Sequence, residues 1–476
     1  MNFIGRKRSE RRSIYRIYKY HQEHILQYLD ELSENEQKHL LEIAGAINFR
    51  KIKKYYKIAK TERKPINFSL LKPSDYIKSQ DEKRREEFRE LGLKALKAGK
   101  VAFLTVAGGQ ASRLGIDSPK GCFGISPIKQ KSLFQLFAEK IYFYSDLYSQ
   151  PLKWFIMTSI DNHAATIDFF IQNNYFNLNK ENIFFFKQGF NPTVTSKSGD
   201  LILKTKSELF MNPDGHGGIL GALTSQGYIS KMEHLGIDYL SYFQVDNPLI
   251  NMADPYFIGC HIAENSDIST KVIQKNFAEE KLGVAMQECK TTKRRIVEYS
   301  DIPKEIMQQK CDDNSLYFQM GSTGIYIFSV PFIKRVSSKL PIHIADKEIT
   351  LPNLDNSGEQ EKKIPVLKFE TFVFDTIPLA KKAIFFETSR NEEFFPLKNK
   401  TGVDSIETCI EGQNNLYRSW LKDCGFKDVD KIERCEISPL FAPDRDVFSE
   451  TAKKKLSSIK EMIYENDNIK KEIYIH

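Results

Sequence analysis

The sequence predicts an α/β fold around a central mixed, mostly parallel sheet, preceded by a helical segment and followed by a small C-terminal one. Three observations carry this. Apolar runs at 101–107, 154–159, 183–186, 239–245 and 323–329 alternate with amphipathic stretches, the pattern of strand–helix units that cover a sheet on both faces. A turn containing Gly108, Gly109 and Gly115 follows the first run directly. The first hundred residues carry no such runs and show helical spacing instead.

In chain order, Ile25, Leu26, Leu29 and Leu32 form one apolar stripe, and Ser33 with Glu36 makes a capping box ahead of Leu40, Leu41 and Ala44. Ser79 with Glu82 makes a second capping box before a helix bearing Phe88, Leu91 and Ala95, which Gly99 ends. Between the strands, helices are predicted over 132–146, where Ser132 pairs with Gln135, and over 161–173, 217–234 and 254–264. After about residue 395 the pattern breaks into short charged pieces. Along the chain this gives a helical N-terminal domain 1–99, an α/β domain 100–395 and a small C-terminal domain 396–476.

At 476 residues, 41% of them hydrophobic, the chain is long enough for two or three domains. Its apolar runs fall far short of the roughly 20 residues that span a bilayer. The Lys- and Arg-rich stretch 1–18 is not followed by an uninterrupted apolar segment, so it does not read as a secretory signal, and a cytoplasmic location is expected. The 70 basic residues are offset by 62 acidic ones, and the net charge of +8 reads as a solvated surface. No nucleic-acid or membrane partner is expected, and no oligomeric state is read. Seven scattered cysteines, without a CxxC pair, argue against both a disulfide framework and a zinc site.

The chemistry concentrates in a few segments. In VAFLTVAGGQASRLGIDSPKG (101–121) a strand runs into a glycine turn whose backbone N–H groups suit phosphate oxygens. Arg113 and Lys120 supply the cations that a leaving pyrophosphate requires. The spacing is neither that of a P-loop nor that of a dinucleotide fingerprint. By itself the loop also fits a glycine-rich turn with two solvated cations. In NPDGHGGIL (212–220) three glycines and a histidine precede a helix, an arrangement that admits a flat ring or a sugar edge. In FQVDN (243–247) a strand ends in Asp246, at the carboxyl edge where open α/β sheets bind ligands. Asp246 suits Mg²⁺, and equally a cap on the next turn. FETFVFD (369–375) alternates like a half-buried strand, which by itself makes Phe372 and Phe374 core residues.

Taken together and in order, GGQASRLGIDSPKG, PDGHGG, VDN with ADPYFIG, FVFD, FFPLKN and CEISPL resemble the eukaryotic-type UDP-N-acetylhexosamine pyrophosphorylases, over about residues 22–440. The resemblance implies a Rossmann-like sheet of the nucleotide-diphosphosugar transferase type. It also implies a uridylyltransferase that joins UTP to N-acetylglucosamine 1-phosphate by in-line displacement, with Mg²⁺ as cofactor. Gly108, Gly109, Gln188 and Gly215 would hold the uridine. Arg113 and Lys120 would hold the triphosphate, Asp246 the metal, and Lys398 the phosphate joining nucleotide to sugar. Gly283, Glu298, Phe372 and Phe374 would line the sugar pocket, with the two rings against the acetyl methyl.

Four positions depart from the family pattern: Ala111 and Ser112 in the loop, His216 where the family has Asn, and Ser322 where it has a sugar-contacting Asn. The last two fall in the sugar pocket, and His216 resembles the turn of UDP-glucose pyrophosphorylases. Glucose 1-phosphate is therefore the alternative substrate. A UDP-sugar-binding protein without turnover is the alternative from another class, and retention of Arg113, Lys120, Asp246 and Lys398 together argues against it.

Overall fold

The structure, a computed structural model, describes residues 7–61, 65–78, 82–351, 353–354, 362–465 and 468–476. All five expected strands form: Val101–Val106, Lys153–Thr158, Ile183–Lys187, Tyr239–Gln244 and Met320–Ser329. Val101–Val106 pairs in parallel with Lys153–Thr158 on one side and Tyr239–Gln244 on the other, and Lys153–Thr158 pairs in parallel with Ile183–Lys187. Met320–Ser329 runs antiparallel to Tyr239–Gln244 and to Ile268–Gln274. Among the described residues this makes a ten-stranded mixed sheet, the architecture expected from the sequence.

The local signals explain the helices that position the strands. Ser132 accepts from the Gln135 N–H and starts Leu133–Leu147, which buries Leu133, Phe134, Leu136 and Phe137 against the sheet core. Asp254 accepts from Tyr256 and Phe257 and starts Pro255–Ala263. The helix expected over 217–234 is split into Gly218–Ser225 and Tyr228–His234, because Gly227 takes a positive φ of 79°. The Ser33–Glu36 capping box forms, while Ser79 lies outside the described residues.

The chain separates into two compact units. The larger comprises 67–187, 222–338 and 376–476; the smaller comprises 1–66, 188–221 and 339–375. In the smaller, Arg8–Lys19, Glu34–Ala46 and Phe49–Lys60 share a core with Val194, Leu201, Leu367 and Phe369. An antiparallel sheet of His343–Leu351, Lys362–Glu370 and Val194–Thr195 completes it. The units interleave along the chain and do not follow the division at 99 and 395, since a pattern read along the sequence carries no record of which distant segments pack together.

One local expectation is corrected. The strand read over 369–375 stops at Glu370, and Val373–Leu379 is a 3₁₀ helix. The next backbone groups bond to the PDGHGG turn instead of a neighbouring strand. Thr371 N–H donates to Asp214 O at 2.8 Å, Thr371 O accepts from Gly217 N–H at 2.8 Å, and Val373 N–H donates to His216 Nδ1 at 3.2 Å.

All seven cysteines are free. Among the described residues no helix is long and apolar enough to cross a membrane.

Candidate functional site

In the larger unit the predicted phosphate residues gather at the carboxyl edge of the parallel strands. Val106 stands opposite Gln244 in the ladder, so the turns after the two strands are neighbours. The first turn is braced from within: Ala111 N–H donates to Ser118 O at 2.9 Å and Lys120 N–H to Gly109 O at 3.1 Å. It is also braced from outside by Asn162, whose Nδ2 donates to the carbonyls of Ala107 at 2.9 Å and Gly109 at 3.4 Å. A side chain at Gly109 would meet nothing within 4 Å, so open space lies over the turn for a ligand. Gly108 is half-buried beside it. Arg113 stands exposed on the short helix Ser112–Leu114 and makes no ion pair among the described residues, while Ala111 and Leu114 anchor that helix in the core.

Lys120 points back toward the second turn. Its Nζ lies 3.9 Å from Asp246 Oδ2 and donates to Leu397 O at 3.2 Å. The Leu397 N–H donates to Asp246 O at 2.7 Å. One residue, Leu397, therefore ties Lys120 and Asp246 together just before Lys398. Lys398 is itself steered: its N–H donates to Asp404 O at 2.7 Å and its Nζ lies 3.0 Å from Asp404 Oδ2. Lys120, Asp246 and Lys398 are all half-buried, which leaves their charges reachable by a ligand in surroundings drier than bulk water.

Gly283, Glu298 and Ser322, on three neighbouring stretches of the same unit, also come together. Ser322 N–H donates to Gly283 O at 2.8 Å, and Glu298 Oε2 is 3.7 Å from where a Gly283 Cβ would stand. A bulge between Ser322 and Tyr326 turns this part of Met320–Ser329 out of register.

The remaining predicted residues lie in the smaller unit. Gln188 is buried, and its Nε2 donates to Gly215 O at 2.9 Å, leaving the amide oxygen for a further partner. Gly215 has φ +84°, and any Cβ there would strike the Thr371 backbone, so glycine is required on both counts. His216 stacks on Phe372 at 5.1 Å and meets Phe374 at 5.9 Å; the two phenyl rings are 5.1 Å apart. Burial, and secondarily the charge of His343, pushes the His216 pKa down to about 4. It is therefore neutral near pH 7. Because its Nδ1 accepts from Val373 N–H, its Nε2 carries the proton and acts as a donor.

Several residues of the site are invisible to the sequence reading. Asp404 carries one faint signal, a position two residues after Gly402 with both at positive φ. Asn162 has none, being 53 residues from Gly109 in the chain. His343 lies 4.3 Å from Phe372, ring to ring, and its Nε2 donates to Asp375 at 2.7 Å, so it packs against the aromatic group from the neighbouring strand.

Residues 47–418 match the model of the UTP–glucose-1-phosphate uridylyltransferase family. A Dictyostelium discoideum protein named "Probable UDP-N-acetylglucosamine pyrophosphorylase" is 36% identical over 445 residues, covering 88% of this chain and 91% of that one. The UDP-N-acetylglucosamine pyrophosphorylase of Saccharomyces cerevisiae is 34% identical over 423 residues, covering 85% and 86%. Among solved structures, the uridine diphosphate N-acetylglucosamine pyrophosphorylase of Trypanosoma brucei in complex with inhibitor superposes with a TM-score of 0.83 at 25% identity, covering 99% of both chains. With its phosphate-type turns at one sheet edge and a family match over most of its length, the chain belongs to the UTP–glucose-1-phosphate uridylyltransferase family.

Proposed function

We propose that this protein transfers the uridylyl group of UTP to N-acetylglucosamine 1-phosphate, forming UDP-N-acetylglucosamine and releasing pyrophosphate. The observation that carries the reading is the convergence of Lys120 and Asp246 on Leu397, the residue preceding Lys398, beside an open glycine turn. A phosphate oxygen of the sugar 1-phosphate attacks the α-phosphorus of UTP, and the bond to the β,γ-pyrophosphate breaks opposite it. Arg113 and Lys120 take up the charge that develops on the leaving group, and Lys398 orients the attacking phosphate. Gly108 and Gly109 accommodate the nucleotide through their backbone, with Gln188 and Gly215 facing the uracil edge.

Asp246 offers a single half-buried carboxylate, and among the described residues no three His, Cys, Asp or Glu side chains converge into an all-protein metal cage. That donor set suits Mg²⁺, which takes one or two carboxylates together with phosphate oxygens and water. Bound there, Mg²⁺ would supply Lewis-acid neutralisation of the triphosphate. The seven free thiols suit a reducing compartment, which supports assignment to the cytoplasm.

For the sugar, the names of the similar proteins and the Phe372–Phe374 pair support the N-acetyl substrate; Gly283 and Glu298 would line its pocket, and Ser322 and His216 would meet its hydroxyls. The description of the family and the histidine at 216 favour glucose 1-phosphate as the second reading. Pyrophosphate release from UTP and Mg²⁺ with N-acetylglucosamine, N-acetylgalactosamine or glucose 1-phosphate separates the readings. The expected result is a kcat/KM at least ~10-fold higher for N-acetylglucosamine 1-phosphate than for glucose 1-phosphate. Equal or better use of glucose would overturn the sugar assignment, and no release with any of the three would leave a binding protein.

A further inference from the structure

Two segments of the larger unit bear residues assigned to the transfer step, one around Asp246 and one leading to Lys398. Leu397 ties them on the side of the site. Beneath them is an ion cluster that the reaction as described does not use. Lys271, wholly buried in Ile268–Gln274, has its Nζ 2.5 and 2.7 Å from the two carboxylate oxygens of Glu393 and 2.6 Å from Asp254. Asp254 caps Pro255–Ala263. Glu393 is the last residue of the short helix Arg390–Glu393 and also accepts from the Thr388 hydroxyl at 3.2 Å.

Asn247, adjacent to Asp246, links the cluster to the site. Its Nδ2 donates to the Glu393 carbonyl at 2.5 Å, and its Oδ1 accepts from the N–H groups of Phe395 and Leu249, each at 3.4 Å. A second buried lysine, Lys140, donates to the carbonyls of Pro248 at 3.1 Å and Ile250 at 2.7 Å on the same segment. The route from Lys271 to Lys398 is thus Glu393, then the peptides of 393–397 held by Asn247 and Asp246. Burial acts to lower the Lys271 pKa, but the two carboxylates outweigh it and raise it, so the ammonium stays charged. An apolar side chain of similar volume would fill such a place with no desolvation cost. The ion pair instead gives Glu393 one defined orientation at the root of the Lys398 segment.

We propose that Lys271 is a positioning residue for uridylyl transfer: by holding Glu393 it sets the 393–398 segment against Asn247 and Asp246, and so fixes where Lys398 meets the phosphate. This rests on the assignment of Lys398 and Asp246 to the transfer step. A displacement of about 1 Å at a reacting group costs on the order of 100-fold in rate, so the effect falls on kcat.

The test is a double-mutant cycle in the full chain: Lys271→Met, Lys398→Ala and both together, with kcat, the KM for each substrate, UTP affinity by calorimetry and the circular dichroism spectrum. Lys398→Ala is expected to lower kcat by at least ~100-fold. Lys271→Met should lower kcat by roughly 10–100-fold while UTP affinity stays within about twofold. The double variant should be no more than about threefold slower than Lys398→Ala, because a residue acting through Lys398 has nothing left to act on. Where Lys271→Met fails to fold, Lys271→Met with Glu393→Met removes both charges together and carries the same expectations. A folded variant with parental kcat, fully multiplicative effects in the double variant, or a cluster that cannot be removed in either way without losing the fold would each overturn the proposal. A parental kcat in Lys398→Ala alone would instead overturn the assignment of Lys398, and the positioning role with it.

Discussion

Lys120 and Asp246, 126 positions apart in the chain, stand 3.9 Å from each other, with the Lys120 ammonium bonded to the carbonyl of Leu397 and the Asp246 carbonyl to its N–H. A cation held beside an acid at this distance is poised to exchange that partner for a phosphate.

The proposed role of the loop cations predicts that Lys120→Ala or Arg113→Ala lowers kcat by at least ~100-fold with the fold intact, since each removes a charge matched to the leaving pyrophosphate. Steady-state kinetics together with far-ultraviolet circular dichroism checks this. Near-parental turnover in both variants would dissociate the loop from catalysis.

Asp246→Asn keeps the side-chain volume and removes the negative charge assigned to Mg²⁺. Activity is expected to require at least ~10-fold more Mg²⁺ for half-saturation, and chelation should abolish turnover in the parent. An unchanged Mg²⁺ titration curve would remove Asp246 from the metal.

Phe372→Ala and Phe374→Ala should erode the preference for N-acetylglucosamine 1-phosphate over glucose 1-phosphate by about 10–200-fold in the ratio of kcat/KM, the range expected for loss of a small apolar contact. His216→Asn should change the overall KM more than that ratio, since its Nε2–H is placed to meet hydroxyls common to both sugars. A ratio that stays put in both Phe variants would turn the pocket over to glucose.

His261 gives a prediction independent of catalysis. It is wholly buried; its Nε2 faces Ser329 Oγ at 3.0 Å, and that hydroxyl spends its own proton on Ser266 O, so Nε2 is the donor and Nδ1 takes a proton from Ser269 at 2.9 Å. Burial pushes its pKa down to about 3, with Asp267 opposing. The folded value lies below the unfolded one, near 6.5, so the unfolded chain binds the extra proton: stability is whole above about pH 6.5 and is lost as pH falls toward 3. Between pH 7.5 and 5.5 this one group should remove about 1.4 kcal/mol. Urea midpoints at the two pH values, in the parent and in His261→Gln, measure it. Equal pH dependence in both would show that His261 is not the titrating group.

The elements were legible in the sequence where one residue's neighbours along the chain decide the matter. The alternation of apolar runs located Val101–Val106 and Tyr239–Gln244, and Ser132 with Gln135 located the start of Leu133–Leu147, because strand period and helix capping are properties of a few adjacent residues. The glycine turn after Val106 was equally plain, and with it the candidacy of Arg113 and Lys120. What the tertiary structure alone decided were contacts made by groups that carry no residue identity. The backbone of Leu397 joins Lys120 to Asp246 through an N–H and a C=O that any residue but proline could supply. The segment after Glu370 left its strand because backbone groups of the 213–218 turn offered hydrogen bonds that local alternation cannot anticipate. Nothing in the local sequence marks Lys271; only packing, by excluding water and bringing Asp254 and Glu393 within 2.6 Å of its ammonium, made it a buried charge that needs both partners.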